Sequence, residues 1–335
     1  MDFLLDPQRI PATNPAAIVA AVALLAGTLG SLQHARAQVR DETPEIPARR
    51  LAAARSWGYQ LQNVDPDQIA ATTYDMLVVD YSRDGSDALA LTPEDVGKLK
   101  VKPDGSRRIV LSYLSIGEAE TYRYYWKWYW RWFFGRPDWR GRQNSEWRGN
   151  YGVRYWEKTW QDVIFGGDNS YLERIIKAGF DGVYLDKVDE YVDMAKENPN
   201  ARDDMIAFVK AIAERARQLK PGYLIVPQNG EGLLTDSGYR AVIDGLGKED
   251  LLFGEDKEKQ PNDAESIRQN VARLKLVTAM RKPVFVVEYL DSAQEVEQAR
   301  RRIQGYGFVP HFADRALDRV RTGDLPDPSR KPGRQ

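Results

Sequence analysis

The chain has 335 residues, 42% of them apolar, with a formal net charge of −1, two histidines and no cysteine. That length fills one barrel-sized core and leaves no room for a second full domain, since the (β/α)8 fold takes about 250 residues. A balanced charge gives nucleic acid no electrostatic footprint, and the lack of cysteine excludes disulfides and thiol chemistry.

Residues 1–37 read as a targeting signal. Pro15 to Leu32 is apolar and uncharged, and Ala35-Arg36-Ala37 has the A-x-A form that precedes a cleavage site, so cleavage after Ala37 is expected. The n-region sets Arg9 against Asp2 and Asp6. An uncleaved anchor is therefore the alternative, and would hold the chain beside a membrane; the apolar run is near the minimum for a span. Either way the folded part is expected to be secreted, periplasmic or at the cell envelope. Residues 38–55 are polar and proline-containing and read as a linker, 56–321 as the folded domain, and 322–335 as a disordered tail.

Eight short apolar runs follow one another within the folded domain: Trp57 to Gln62, Met76 to Ser82, Ile109 to Ser115, Gly182 to Asp186, Leu224 to Gly230, Val242 to Glu249, Val284 to Leu290 and Phe308 to Ala313. They alternate little, as strands covered on both faces do not. Between them lie helical stripes. Met205, Ile206, Phe208, Val209, Ile212, Ala213, Ala216 and Leu219 share one face of 201–220, which Pro221-Gly222 ends. Ile267, Val271, Leu274 and Val277 form a second stripe, and Ser292 to Glu295 reads as a capping box before Val296, Ala299 and Ile303. Strand alternating with helix implies a parallel sheet, and eight strands imply an α/β fold closed as a single (β/α)8 TIM barrel. An open doubly wound sheet is the structural alternative.

Acids gather where these strands end: Asp80, Glu118, Asp186, Glu231, Glu249 and Glu288. Any one could cap a helix or form a rim salt bridge. Six at the catalytic mouth of a barrel would repel one another and raise some pKa values, which prepares an acid for proton transfer. Asp189, Glu190 and Tyr191 sit just past the fourth strand and read as a helix start, where negative charge is favourable.

Metal chemistry fares worse. His34 lies in the signal, His311 stands alone, and no aspartate-rich loop is present, although carboxylates and water could still hold magnesium. A serine triad would have His311 as its sole base, and no G-x-S-x-G elbow occurs. Two carboxylates with neither metal nor cofactor fit glycoside hydrolysis.

Tyr122 to Trp160 packs sixteen aromatics into thirty-nine residues, eight of the nine tryptophans among them, interleaved with Lys127, Arg131, Arg136, Arg140 and Arg142. The gap exceeds what a helical crossover needs, so an aromatic-rich insertion between strands 3 and 4 is expected. Its rings could stack on sugars or bind amines; a lid packed on its own barrel and an interfacial membrane patch are the alternatives.

The motifs GFDGVYLD (Gly179 to Asp186), SYLSIGEAETYR (Ser112 to Arg123), YWEKTWQ (Tyr155 to Gln161), GLGKED (Gly245 to Asp250) and PVFVVEYLD (Pro283 to Asp291) resemble glycoside hydrolase family 114, the endo-α-1,4-polygalactosaminidases. The resemblance runs from about Ser56 to Ala313. It implies a (β/α)8 barrel and a retaining reaction on a galactosamine-containing polymer. The family's catalytic pair, after strands four and six, carries over to Asp186 as nucleophile and Glu249 as acid/base. Gly247-Lys248-Glu249-Asp250 departs from the Asn-Glu-Gln-Cys type of fungal members and is closer to the bacterial and archaeal branch. Asp80, Tyr113, Glu118, Gln228, Asn229, Glu231 and Glu288 are then expected to bind sugar hydroxyls or an amine, with Tyr125, Trp126 and Trp156 as the aromatic contribution. No cofactor is expected, and the protein is expected to be a monomer whose partner is the polysaccharide. The competing reading is a catalytically silent barrel that binds exopolysaccharide through the aromatic insertion.

Overall fold

A computed structural model describes residues 45–131 and 135–320. The expected signal peptide and its cleavage site, residues 38–44 of the expected linker and the tail 322–335 lie outside the described residues.

The short apolar runs form parallel strands buried on both faces. β1 (Trp57–Gln60), β2 (Met76–Val79), β3 (Ile109–Ser115), β7 (Gly182–Asp186) and β8 (Leu224–Pro227) make one parallel sheet in that order. β9 (Leu246–Glu249), β10 (Val284–Glu288) and β11 (Val309–Phe312) make a second. A parallel bridge from Gln228 to Gly247 joins the two sheets. At the other side the Trp57 indole N–H donates to the Val309 carbonyl at 3.1 Å, bringing the first strand beside the last.

Side chains alternate along each strand, and here alternation divides them between two cores. Trp57, Tyr59, Met76, Val78, Ile109, Leu111, Tyr113, Tyr184, Leu224, Val226, Phe285 and Val287 meet in one cluster on the concave side. Leu77, Val79, Val110, Val183, Leu185, Ile225 and Val286 face outward into the layer shared with the helices. Because both faces are apolar, the sequence shows runs instead of alternation. Gly247 is required by this arrangement, since a Cβ there would overlap the Tyr184 hydroxyl inside the concave cluster.

Several strands end one to three residues short of the expected runs, and two larger differences stand out. The sixth strand starts at Leu246 instead of Val242, because Val242 ends the helix Ser237–Val242 and Ile243 is buried in the turn after it. Glu45–Ala53, inside the expected linker, is a helix. Its Leu51, followed by Ala54, is buried in the concave cluster at the N-terminal ends of the strands; a polar helix with one apolar anchor looks like a linker. The helices Ala201–Leu219, Ala264–Thr278 and Ala293–Gly305 bury the expected stripes, except for Leu219, which is half-buried at the end of the first. At Ser292 only the N-cap half of the expected box is seen, with its hydroxyl accepting from the Glu295 amide at 3.4 Å.

The stretch between β3 and β7 contains a small antiparallel sheet: β4 (Glu118–Glu120), β5 (Arg140–Gln143) and β6 (Asn150–Val153), with β6 in the middle. Most of its aromatics pack on one another. Tyr125 and Trp139 are buried against Trp160, Trp126 stacks on Tyr151 and Trp156 leans on Tyr155.

Candidate active site

The C-terminal ends of β3, β7, β8, β9 and β10 converge on a cavity of about 620 Å³, within the about 300–1,000 Å³ usual for ligand sites. Asp186 closes β7 and Glu249 closes β9, with Gln228 between them at the end of β8. Each of the three is followed by a residue in the left-handed region: Lys187 (φ 60°), Asn229 (φ 58°) and Asp250 (φ 55°). That backbone is costly for a residue with a side chain and persists where surrounding contacts enforce it, commonly at functional sites. Here the contacts are visible. Lys187 pairs with Glu118 at 3.4 Å, Asn229 accepts from the Glu249 amide at 3.0 Å, and Asp250 is held by Arg315 at 2.8 Å. The turns fix where the three side chains enter the cavity.

Gln228 Nε2 donates to Asp186 at 3.0 Å and to Glu249 at 3.2 Å. Both bonds leave one nitrogen, which caps the separation of the two accepting oxygens at about 6 Å, the sum of the bonds. On its other oxygen Asp186 accepts from the Tyr113 hydroxyl at 2.7 Å, and Glu249 accepts from the Tyr289 hydroxyl. The Arg315 guanidinium lies 3.9 Å from Glu249 and over the Tyr289 ring at 4.1 Å.

Burial raises the pKa of Asp186 to about 7, and the Glu249 charge adds to it against the Tyr113 bond. Burial also raises Glu249, opposed by the Tyr289 bond and by Arg315. For Asp186 desolvation leads and repulsion by Glu249 comes second, so removing the Glu249 charge makes Asp186 easier to ionise.

Of the other expected residues, Asp80, Tyr113, Glu118, Gln228 and Asn229 line the cavity. Asp80 is buried and grips Arg123 through both oxygens, at 2.8 and 2.6 Å, while Glu120 takes the third guanidinium bond at 2.6 Å. Glu118 accepts from Asn144 at 2.7 Å and Asn150 at 3.2 Å.

The remaining five do not line the cavity. Glu231 pairs with Lys248 at 2.9 Å. Glu288 is fully buried under the rim, where its carboxylate accepts from the backbone amides of Leu252 at 2.7 Å and Phe253 at 3.3 Å; burial raises its pKa to about 8. Its place at a strand end holds the turn after Glu249 instead of meeting solvent. Tyr125, Trp126 and Trp156 are spent in the aromatic packing described above.

Several cavity residues were not singled out from sequence. Tyr59, Tyr122, Trp147, Asp189, Tyr289 and Arg315 all line it. Tyr289 follows Glu288 directly, so the strand-end rule found the right place and chose the wrong neighbour. Asp189, read as a helix start, does sit in the short 3-10 helix Val188–Glu190 and lines the cavity as well. Among the described residues no group of three histidines or acids is placed to hold a metal ion.

A parallel α/β fold with paired carboxylates at the strand ends is the arrangement of a glycoside hydrolase. The comparisons agree. The model of glycoside hydrolase family GH114 matches residues 35–324, and the chain belongs to that family. An uncharacterized protein of Methanocaldococcus jannaschii is 37% identical over 283 residues, covering 79% of this chain and 78% of that protein. An uncharacterized protein of Thermotoga maritima is 35% identical over 278 residues, covering 78% and 81%. Among solved structures, the glycoside hydrolase domain of PelA from Pseudomonas aeruginosa superposes with a TM-score of 0.62 at 18% identity, covering 82% of this chain and all of that domain, and so shares the fold.

Proposed function

We propose that this glycoside hydrolase is an exported enzyme that cleaves an amino-sugar exopolysaccharide internally, by a retaining two-carboxylate mechanism, within a closed (β/α)8 barrel. The observation that carries the mechanism is the shared Gln228 amide. Retaining enzymes hold their carboxyl groups about 5–5.5 Å apart and inverting ones about 6.5–9.5 Å. The cap of about 6 Å on the bonded oxygens lies nearer the retaining spacing than the inverting one. Closure of the barrel is supported by the single concave cluster and by the bond from Trp57 to Val309. The antiparallel sheet β4-β6-β5 is then the insertion between barrel strands three and four.

The ionised Asp186 carboxylate attacks the anomeric carbon while Glu249 gives its proton to the departing glycosidic oxygen. Water then enters and gives a proton to Glu249, its oxygen bonds to the anomeric carbon, and the bond from sugar to Asp186 breaks. The roles come from the family resemblance, and the geometry accommodates them: with the proton on Glu249, the charge that raises Asp186 is gone and the Tyr113 bond stabilises its anion. For an amine-bearing polymer the support is the excess of acids over bases in the lining, where Asp84, Glu118, Glu146 and Asp189 join the catalytic pair. Export rests on the apolar segment and the Ala35-Arg36-Ala37 site.

Incubation of the purified chain with partly deacetylated polygalactosamine tests this reading. The wild type is expected to release oligosaccharides, and Asp186→Asn and Glu249→Gln to bind the polymer without cutting it. A wild type that binds and cuts no amino-sugar polymer would favour the silent-barrel reading.

A further inference from the structure

Trp147 stands apart from the other tryptophans. Trp126 stacks on Tyr151, Trp139 leans on Trp160, and the remaining described tryptophans likewise rest on aromatic rings. Among the described residues no ring covers Trp147, which is 52% exposed and yet belongs to the wall of the cavity that contains Asp186 and Glu249. An uncovered indole in water is unfavourable, and one aimed into a polar cleft is suited to an amphipathic ring.

Its position is built. Asn144 Oδ1 accepts from the amides of Glu146 at 2.9 Å and Trp147 at 3.2 Å, and the Asn150 amide donates to the Trp147 carbonyl at 3.0 Å. The side-chain amides of Asn144 and Asn150 are themselves anchored on Glu118, the carboxylate that also pairs with Lys187 beside Asp186. The loop tip is thus pinned to the same framework as the nucleophile. A preorganised ring of this kind loses little entropy when a ligand covers it.

We propose that Trp147, flanked by Glu146 and Arg148, is an outer saccharide-stacking subsite that holds a sugar ring of the polymer away from the bond being cut. This rests on the hydrolase reading above. The concave, polar surroundings favour a polymer lying in the cleft over a flat lipid surface, which would not reach a cavity wall.

The test uses the non-cleaving Asp186→Asn chain and compares binding of partly deacetylated polygalactosamine with binding of its trisaccharide. Adding Trp147→Ala is expected to weaken polymer binding about tenfold and leave the trisaccharide unchanged, and Trp147→Phe to restore most of the loss. Equal polymer affinity with and without Trp147, or an equal loss on both ligands, overturns the subsite. Cleavage by the wild type, measured alongside, reports on the hydrolase reading separately: cleavage with unaltered Trp147→Ala binding removes the subsite alone, whereas neither cleavage nor binding removes both.

Discussion

Asp186 and Glu249, on strands separated by β8, are bonded to the same nitrogen, the side-chain amide of Gln228. One neutral donor therefore sets the spacing of both acids without adding a charge that would hold either in its ionised form.

The two acids should fail differently. Glu249→Gln is expected to lower kcat on the polymer by about 10²–10⁴, the usual worth of general acid catalysis, yet to spare the first step on an aryl glycoside whose leaving group needs no proton, seen as a burst of released aglycone. Asp186→Asn should abolish both reactions. Rates on the two substrates check the assignment; equal loss in both variants would contradict it.

The coupling of the pair has a sign. Glu249→Gln removes a charge that raises Asp186, so the Asp186 pKa should fall below about 7. Tyr113→Phe removes a bond that lowers it, so the pKa should rise. Carboxyl NMR titration of aspartate-labelled protein reads both shifts, and opposite or absent shifts would remove the electrostatic account.

Glu288 makes stability depend on pH. Its folded pKa of about 8 lies above its ordinary value, so the folded state holds the proton where the unfolded state has lost it. Stability from this group is present in full below the ordinary glutamate range and is lost as pH rises to about 8, by about 1.4 kcal/mol per unit. Asp186 and Glu190, both raised to about 7 by burial, act in the same direction. Glu288→Gln should flatten the decline in urea midpoint between acidic and mildly alkaline pH, and an unchanged slope would contradict this.

Asp80 is a structural acid in a catalytic place. Asp80→Ala leaves the buried Arg123 cation with only Glu120 as counter-ion, and a broken buried pair costs about 3–5 kcal/mol. Denaturant unfolding should show a loss of that order; a loss under 1 kcal/mol, about the worth of an exposed pair, would mean that Arg123 is not held as described.

The parallel strands and the acids that meet in the cavity were legible because both follow from short-range pattern. An apolar run of four to seven residues ending in an acid is visible in Gly182–Asp186 and Val284–Glu288 alike. What the pattern does not carry is the direction in which the acid points. Asp186 enters the cavity and Glu288 turns beneath it, a difference set by the left-handed turn at Lys187 and by the backbone amides that Glu288 caps. The aromatic stretch was legible as composition and not as geometry: its rings mostly cover one another, and the sheet β4-β6-β5 was hidden because its strands are only three or four residues long and two of them, Glu118–Glu120 and Arg140–Gln143, are mostly charged or polar. Tyr289 and Arg315 were missed because their importance lies in contacts to Glu249 made across the chain.

The stereochemistry of the first product tests the two-carboxylate account most directly. Proton NMR during early hydrolysis of the α-1,4-linked polymer is expected to show the α-anomer of the new reducing end before mutarotation mixes it. Early accumulation of the β-anomer would mean a single displacement by water and would contradict the role assigned to Asp186.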